Sequence, residues 1–241
     1  MTTSRMTGLP GRSPQQPRQR NWPVPAALLL VSVIPVLAGA LRLVQLLGGP
    51  ALIPAVHRFE GFPLPLIVHI VSATLFAVVG AFEFVSRFRR QHRNWHRRAG
   101  RVLAVAGLLV AGSALWMTLF YAPPPDSGFL LYVLRLVFGA SLVACIVRGV
   151  TSIRNRDVAG HRAWMIRAYA IALAAGTQAF TGGVGEALFG TGALQGDLAK
   201  ASGWVINLAV AEWVIRRYGG AGRSRPSVRA VRLTVPAEAS S

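Results

Sequence analysis

The sequence predicts an all-α fold: a polytopic membrane bundle of six transmembrane helices with both termini in the cytoplasm. Three observations predict it. Of 241 residues, 53% are hydrophobic and only 14% are charged, against roughly 25% charged in a soluble domain. The apolar residues gather into runs of about twenty, the length that crosses a bilayer as helix. No strand-like alternation argues for a barrel instead. The basic residues stand between the runs: residues 87–101, RFRRQHRNWHRRAGR, hold seven arginines and two histidines. Neither a soluble core nor a bilayer could take up that stretch, and arginine-rich short loops stay on the cytoplasmic side.

The elements follow in order. Residues 1–21 carry Arg5, Arg12, Arg18 and Arg20 among Pro, Gln, Ser and Gly. With no hydrophobic face to bury, they read as a disordered basic cytoplasmic tail. The transmembrane domain occupies 22–218. Its first helix, 24–47, is longer than a signal-peptide core of roughly 7–15 residues and lacks a small-x-small cleavage site. Pro35 is expected to kink it. A loop at 48–63 holds His57, Arg58 and Glu60. The second helix, 64–85, opens with Pro63 and Pro65, tolerated where backbone N–H groups have no helical partner anyway. After the basic loop comes an uncharged third helix, 102–121. A proline turn at 122–128 leads to the fourth, 129–147, with Arg135 inside. A second basic loop, 148–162, sets Arg148, Arg154, Arg156 and Arg162 against Asp157. The fifth helix is 164–185. A Gly-rich loop, 182–203, contains Glu186, Asp197 and Lys200, and the sixth helix, 201–215, extends to Tyr218. Residues 219–241 form a second disordered basic tail.

The charge bias agrees at every turn. The tails and the loops after helices two and four are arginine-rich, whereas the alternate loops hold only Arg58 and Lys200 as basic residues. This places the chain in the cytoplasmic (inner) membrane with both termini inside. The net charge is +18. In a soluble protein that would point to nucleic acid. Here the arginines sit at the ends of apolar runs, so anionic lipid headgroups are the simpler partner. A protein partner or a second copy of the chain remains an alternative. Cys145 is the only cysteine, which excludes an internal disulfide and a Cys-based metal cluster; no metal site is expected.

At His161 the chain reads HRAWMIRAYAIALAA, with HIVSATLFAVVGAFEF from His69, HRRAGR from His96 and WVINLAVAEW from Trp204. This ordered set resembles the bacterial membrane-protein family known as domain of unknown function 2306, over about residues 64–215. HRAWMIR is its most specific part. The resemblance implies a multi-helix integral membrane protein and carries no activity with it. In one respect the chain departs from the family: members often have an arginine late in the fifth helix, where this chain has Gln178.

Ionisable groups within a span are costly and mark candidate sites. An outer set comprises Arg42, His69, Arg135 and Glu186. An inner set comprises Glu83, Arg87, His96, Arg101, His161, Arg167 and Glu212, with Asn207 between the two. Polar and small residues share a stripe on the second helix (His69, Ala73, Phe76, Gly80, Glu83, Arg87) and on the fifth (Arg167, Ala174, Gln178, Thr181, Gly185). Such faces suit helix–helix burial, so these two helices are expected to line the interior. Four functional classes fit. The arginine face, with Arg97, Arg98, Arg101, Arg162 and Arg167, contacts anionic lipid or a partner. A b-type haem is held by His96 and His161, which share a depth, with His69 as an outer ligand. A quinone or proton path uses His69 and Glu83 as stations about 21 Å apart along one helix. A small-solute transporter is built around the Gly-rich stretch after helix five. Soluble-enzyme motifs are absent: no P-loop, dinucleotide fingerprint, GxSxG or HExxH occurs.

Overall fold

The computed structural model describes residues 23–54, 57–59, 61–84, 91–124 and 127–220. The tails expected at 1–21 and beyond Gly220, together with Glu60, Val85, Arg87, Pro125 and Asp126, lie outside them. Among the described residues the fold is all helical, with seven α-helices and one short 3-10 turn, His57–Phe59. The helices are α1 Pro23–Leu46, α2 Leu64–Glu83, α3 Arg93–Phe120, α4 Phe129–Arg154, α5 Val158–Ala172, α6 Ala174–Phe189 and α7 Ala193–Gly220. Five of these, α1 to α4 and α7, are long and apolar enough to cross a membrane.

Several boundaries differ from expectation. The single fifth helix is two, interrupted at Leu173, and it starts at Val158 rather than at Trp164. The basic loops are mostly helix. Arg97, Arg98 and Arg101 lie on α3, and Arg162 and Arg167 lie on α5. Arginine is a good helix former, and its long stem lets the charge reach water from a helix end. The Gly-rich loop shrinks to three residues, Gly190 to Gly192, because α6 runs to Phe189 and α7 begins at Ala193. Glu186 is therefore on α6, and Asp197 and Lys200 are on α7. Two of its glycines serve packing, while Gly190, with φ +77°, turns the chain at the end of α6. A Cβ on Gly185 would meet Ala199 at 2.6 Å, and one on Gly203 would meet Gln178 at 2.7 Å. Small residues at those points let α6 and α7 lie close together.

Successive helices pack on one another, and α1 also packs on α6, α5 on α7. The core gathers Phe76, Val110, Leu142, Ile146 and Tyr169 from α2, α3, α4 and α5. The sides of the bundle stay apolar: Leu30 is 69% exposed, Val105 59% and Val205 63%. The helix starts and ends sort into two ends. One, the arginine-rich end, holds Glu83, His96, Arg154, His161 and Arg217. The opposite end holds Leu46, Phe62, Tyr121 and Gly128, with the Tyr121 hydroxyl donating to the Phe62 carbonyl.

The interruption at Leu173 has an identifiable setting. Pro35 lies inside α1 and has no N–H, so the Val31 carbonyl four residues earlier loses its helical donor. Gly176, in the first turn of α6, packs directly on that carbonyl, so close that a Cβ there would collide with it. On the far side of the break, Asn207 Nδ2 donates to the Ala170 carbonyl at 3.1 Å. Such partners satisfy backbone groups that a helix break leaves without helical ones.

Candidate functional site at the arginine-rich end

The end of α4, the length of α5 and the end of α7 meet around Trp164. Asp157 starts α5 by accepting the Gly160 N–H at 2.8 Å, the usual job of an N-cap carboxylate. One turn on, His161 Nδ1 lies 2.8 Å from the Gly149 carbonyl of α4. A carbonyl only accepts, so Nδ1 carries a proton, and the neutral tautomer that fits this bond has its lone pair on Nε2. The guanidinium carbons of Arg148 and Arg167 lie 5.0 and 4.8 Å from the Trp164 ring centroid, inside the roughly 6 Å reach of a cation–π contact. Arg167 also grips Glu212 of α7 with both arms, Nε to Oε1 at 2.5 Å and Nη2 to Oε2 at 3.0 Å. This bidentate pair ties α5 to α7 at the end of the bundle. In the next turn of α7, Arg217 lies 5.1 Å from the Trp213 centroid. An open groove there is lined by Ala209, Glu212, Trp213, Arg216 and Arg217.

Glu83 and His96, both in the expected inner set, meet each other. The His96 Nδ1–H donates to Glu83 Oε2 across the α2–α3 junction, and Glu83 Oε1 is buried with no partner among the described residues. His96 and His161 are thus each held through Nδ1 to a different helix, with Nε2 left as the nitrogen that could ligate. Among the described residues no cluster of three or more His, Cys, Asp or Glu is placed to hold a metal ion. Arg97, Arg98, Arg101 and Arg162 are exposed on this end.

The outer set does not form one site. His69 faces α3, with Nδ1 3.2 Å from the Val110 carbonyl and 3.1 Å from Ser113 Oγ. Arg42 bonds Gln45 and the Pro54 carbonyl, closing the turn after α1. Glu186 is exposed on α6. Arg135 lies within electrostatic reach of Asp197 and Arg58. Burial pushes the Arg58 guanidinium below its ordinary value, and the nearby charge of Arg135 adds to that. Gln178 Nε2 donates to the Lys200 carbonyl at 2.9 Å, and Thr177 Oγ1 to Asn207 Oδ1 at 2.8 Å. These are helix–helix fasteners.

Three features escaped the reading of the sequence. Asp197, 1% exposed, reaches from α7 to cap α4, accepting the Gly128 and Leu131 N–H groups at 3.0 Å each. Tyr169 lies off the predicted polar stripe, yet it is buried, donates to the Ala77 carbonyl at 2.8 Å and packs on Phe76 and Phe84. The Trp213–Arg217 and Glu212–Arg216 pairs carried a signal, i to i+4 spacing at the end of an apolar helix, that could have marked the groove.

Fold and site together define a polytopic helical membrane protein with an arginine–tryptophan end. The family described as predicted membrane protein (DUF2306) matches residues 66–215, more than half of the chain, and the protein belongs to it. No curated protein and no solved structure matches the chain.

Proposed function

We propose that the protein is a cytoplasmic-membrane protein with six spans, α5 and α6 forming one interrupted span, and with both termini in the cytoplasm. Its arginine-rich end lies in the inner leaflet's headgroup region and binds anionic lipid. The observation that carries this reading is the pairing of Arg148 and Arg167 with Trp164. Tryptophan and arginine together favour the membrane interface, where a ring lies among headgroups and a guanidinium reaches phosphate. Charge bias along the chain supports the orientation. Cysteine accessibility tests it, since Cys145 is the only native cysteine. In a Cys145→Ala background, Thr191→Cys should react with an impermeant maleimide on intact cells, and Asn155→Cys only after lysis. Labelling of both from the same side would remove the interrupted span and with it the count of six.

A second reading, small-solute transport, is favoured by the helix break at Leu173. A small cavity beside the break is lined by Ala73, Phe76, Ala77, Val110, Tyr169 and Leu173, and broken helices build transporter sites. Unchanged flux in folded His69→Ala and Arg135→Ala proteins would dismiss it.

A further inference from the structure

We propose that the outer face of α7 is a discrete binding site for one anionic phospholipid, with the phosphodiester on Arg216 and Arg217 and an acyl chain along Ile206, Val210 and Trp213. This deepens the lipid reading above and rests on it. The positions lie on one side of the helix, at the i, i+4, i+7 and i+11 spacing of residues 206, 210, 213 and 217. Ile206 is 46% exposed, Val210 55% and Trp213 58%, so the stripe is an open apolar track about 10 Å long from 206 to 213. It runs into the groove of Ala209, Glu212, Trp213, Arg216 and Arg217. The track fits a hydrocarbon chain, and its end fits an anion.

The charge balance of the neighbourhood decides the sign of the ligand. Glu212 alone would repel a phosphate. Its two oxygens are taken by Arg167, so that pair is close to neutral from outside. Arg216 interacts with Glu212 electrostatically, yet it and Arg217 stay exposed. Arg217 lies over the Trp213 ring, which orients the guanidinium at the mouth of the groove. Arg148, on the neighbouring helix, adds a further positive charge beside Trp164. A guanidinium pair offers a phosphodiester bidentate hydrogen bonds as well as charge.

The test titrates delipidated, detergent-purified protein with phosphatidylglycerol or phosphatidylcholine and counts bound lipids by native mass spectrometry. Wild type should retain one phosphatidylglycerol in preference to phosphatidylcholine. Arg216→Gln/Arg217→Gln should weaken that retention at least about tenfold, since each interfacial arginine contributes on the order of a further several-fold in affinity. Arg154→Gln/Arg156→Gln, which removes the same charge from the exposed end of α4 and the turn after it, should change it less than about twofold. Trp213→Leu, which removes no charge, should weaken it by about threefold. Equal loss in both arginine doubles, or unchanged retention in both the Arg216/Arg217 double and Trp213→Leu, would overturn the discrete site and leave the general lipid reading standing. Wild-type protein that holds the two lipids alike would overturn both.

Discussion

At the scale of single residues, two glycines on one helix have opposite roles. Gly176 packs on the Val31 carbonyl of α1, a backbone atom that cannot rotate aside. Gly182, six residues on, has nothing within 4 Å of where a Cβ would stand. Gly176→Ala should therefore cost about 1–3 kcal/mol, the usual cost of overpacking. Gly182→Ala should be neutral or stabilise by up to about 1 kcal/mol through helix propensity. Unfolding in mixed micelles with increasing SDS measures both, and equal effects would refute the close contact. The Arg167–Glu212 pair is a milder case. Its side chains are 26% and 35% exposed, so solvent screening limits it to about 0–1 kcal/mol. Glu212→Arg should lower the stability of the α5–α7 contact, and adding Arg167→Glu should restore most of it. A swapped pair no better than the single variant would mean the two carry no mutual interaction. From the sequence, Arg167 and Glu212 were both legible as inner-set residues. Their partnership was not, because 45 residues separate them.

At the scale of elements, polar side chains reach across helix boundaries to support backbone ends. Asn207 serves the break between α5 and α6, and Asp197 serves the start of α4. Asp197→Ala strips two N–H groups of their acceptor and a helix N-terminus of its negative charge, a loss of about 1–2 kcal/mol or more. Asp197→Asn should keep part of the stabilisation, since an amide oxygen still accepts one bond. The order wild type, Asn, Ala in thermal stability is the expected result, and an Ala variant as stable as wild type would deny the cap. For Thr177–Asn207, a double-mutant cycle with Thr177→Val and Asn207→Leu should give a coupling of about 0.6–1.7 kcal/mol, the range of hydrogen bonds between membrane helices. Coupling near zero would show that the hydroxyl finds another partner. Five of the six expected helices were legible as apolar runs. Both ends of α1 and α2 and the start of α4 were legible to within two residues; the arginine-rich start of α3 and end of α4 were not, because arginine at a helix end continues the helix while it looks, in sequence, like a loop. The break at Leu173 was hidden for the opposite reason. Ala-Leu-Ala-Ala at 172–175 is strongly helix-forming, and the α1 carbonyl that Gly176 packs on is visible only in the tertiary structure.

At the scale of the molecule, the outward faces are as apolar as the core. Val137, near the middle of α4, is 51% exposed. In water, Val→Asp at such a position would be nearly silent, within about 0.5 kcal/mol. In hydrocarbon it should cost about 3 kcal/mol or more. A drop in the membrane-inserted fraction of Val137→Asp, read by a glycosylation-mapping assay, is the expected outcome, and full insertion would mean that face of α4 meets water. The end crowded with guanidinium groups gives the bundle its asymmetry, and the groove on α7 lies there.

The amino-acid sequence by itself determined that this is an all-helical membrane protein, which end of each helix carries charge, and which polar residues lie within the apolar runs. These follow from local composition: a bilayer demands a continuous apolar length and satisfied backbone groups, and both are written along the chain. Only the tertiary structure decided that Glu83 meets His96, that Arg167 meets Glu212 beside Trp164, that Asp197 caps a distant helix, and that the fifth helix breaks where Gly176 meets Val31. Those depend on which helix faces are turned toward one another. Close packing between non-adjacent helices sets that rotation, and no short window of sequence contains it.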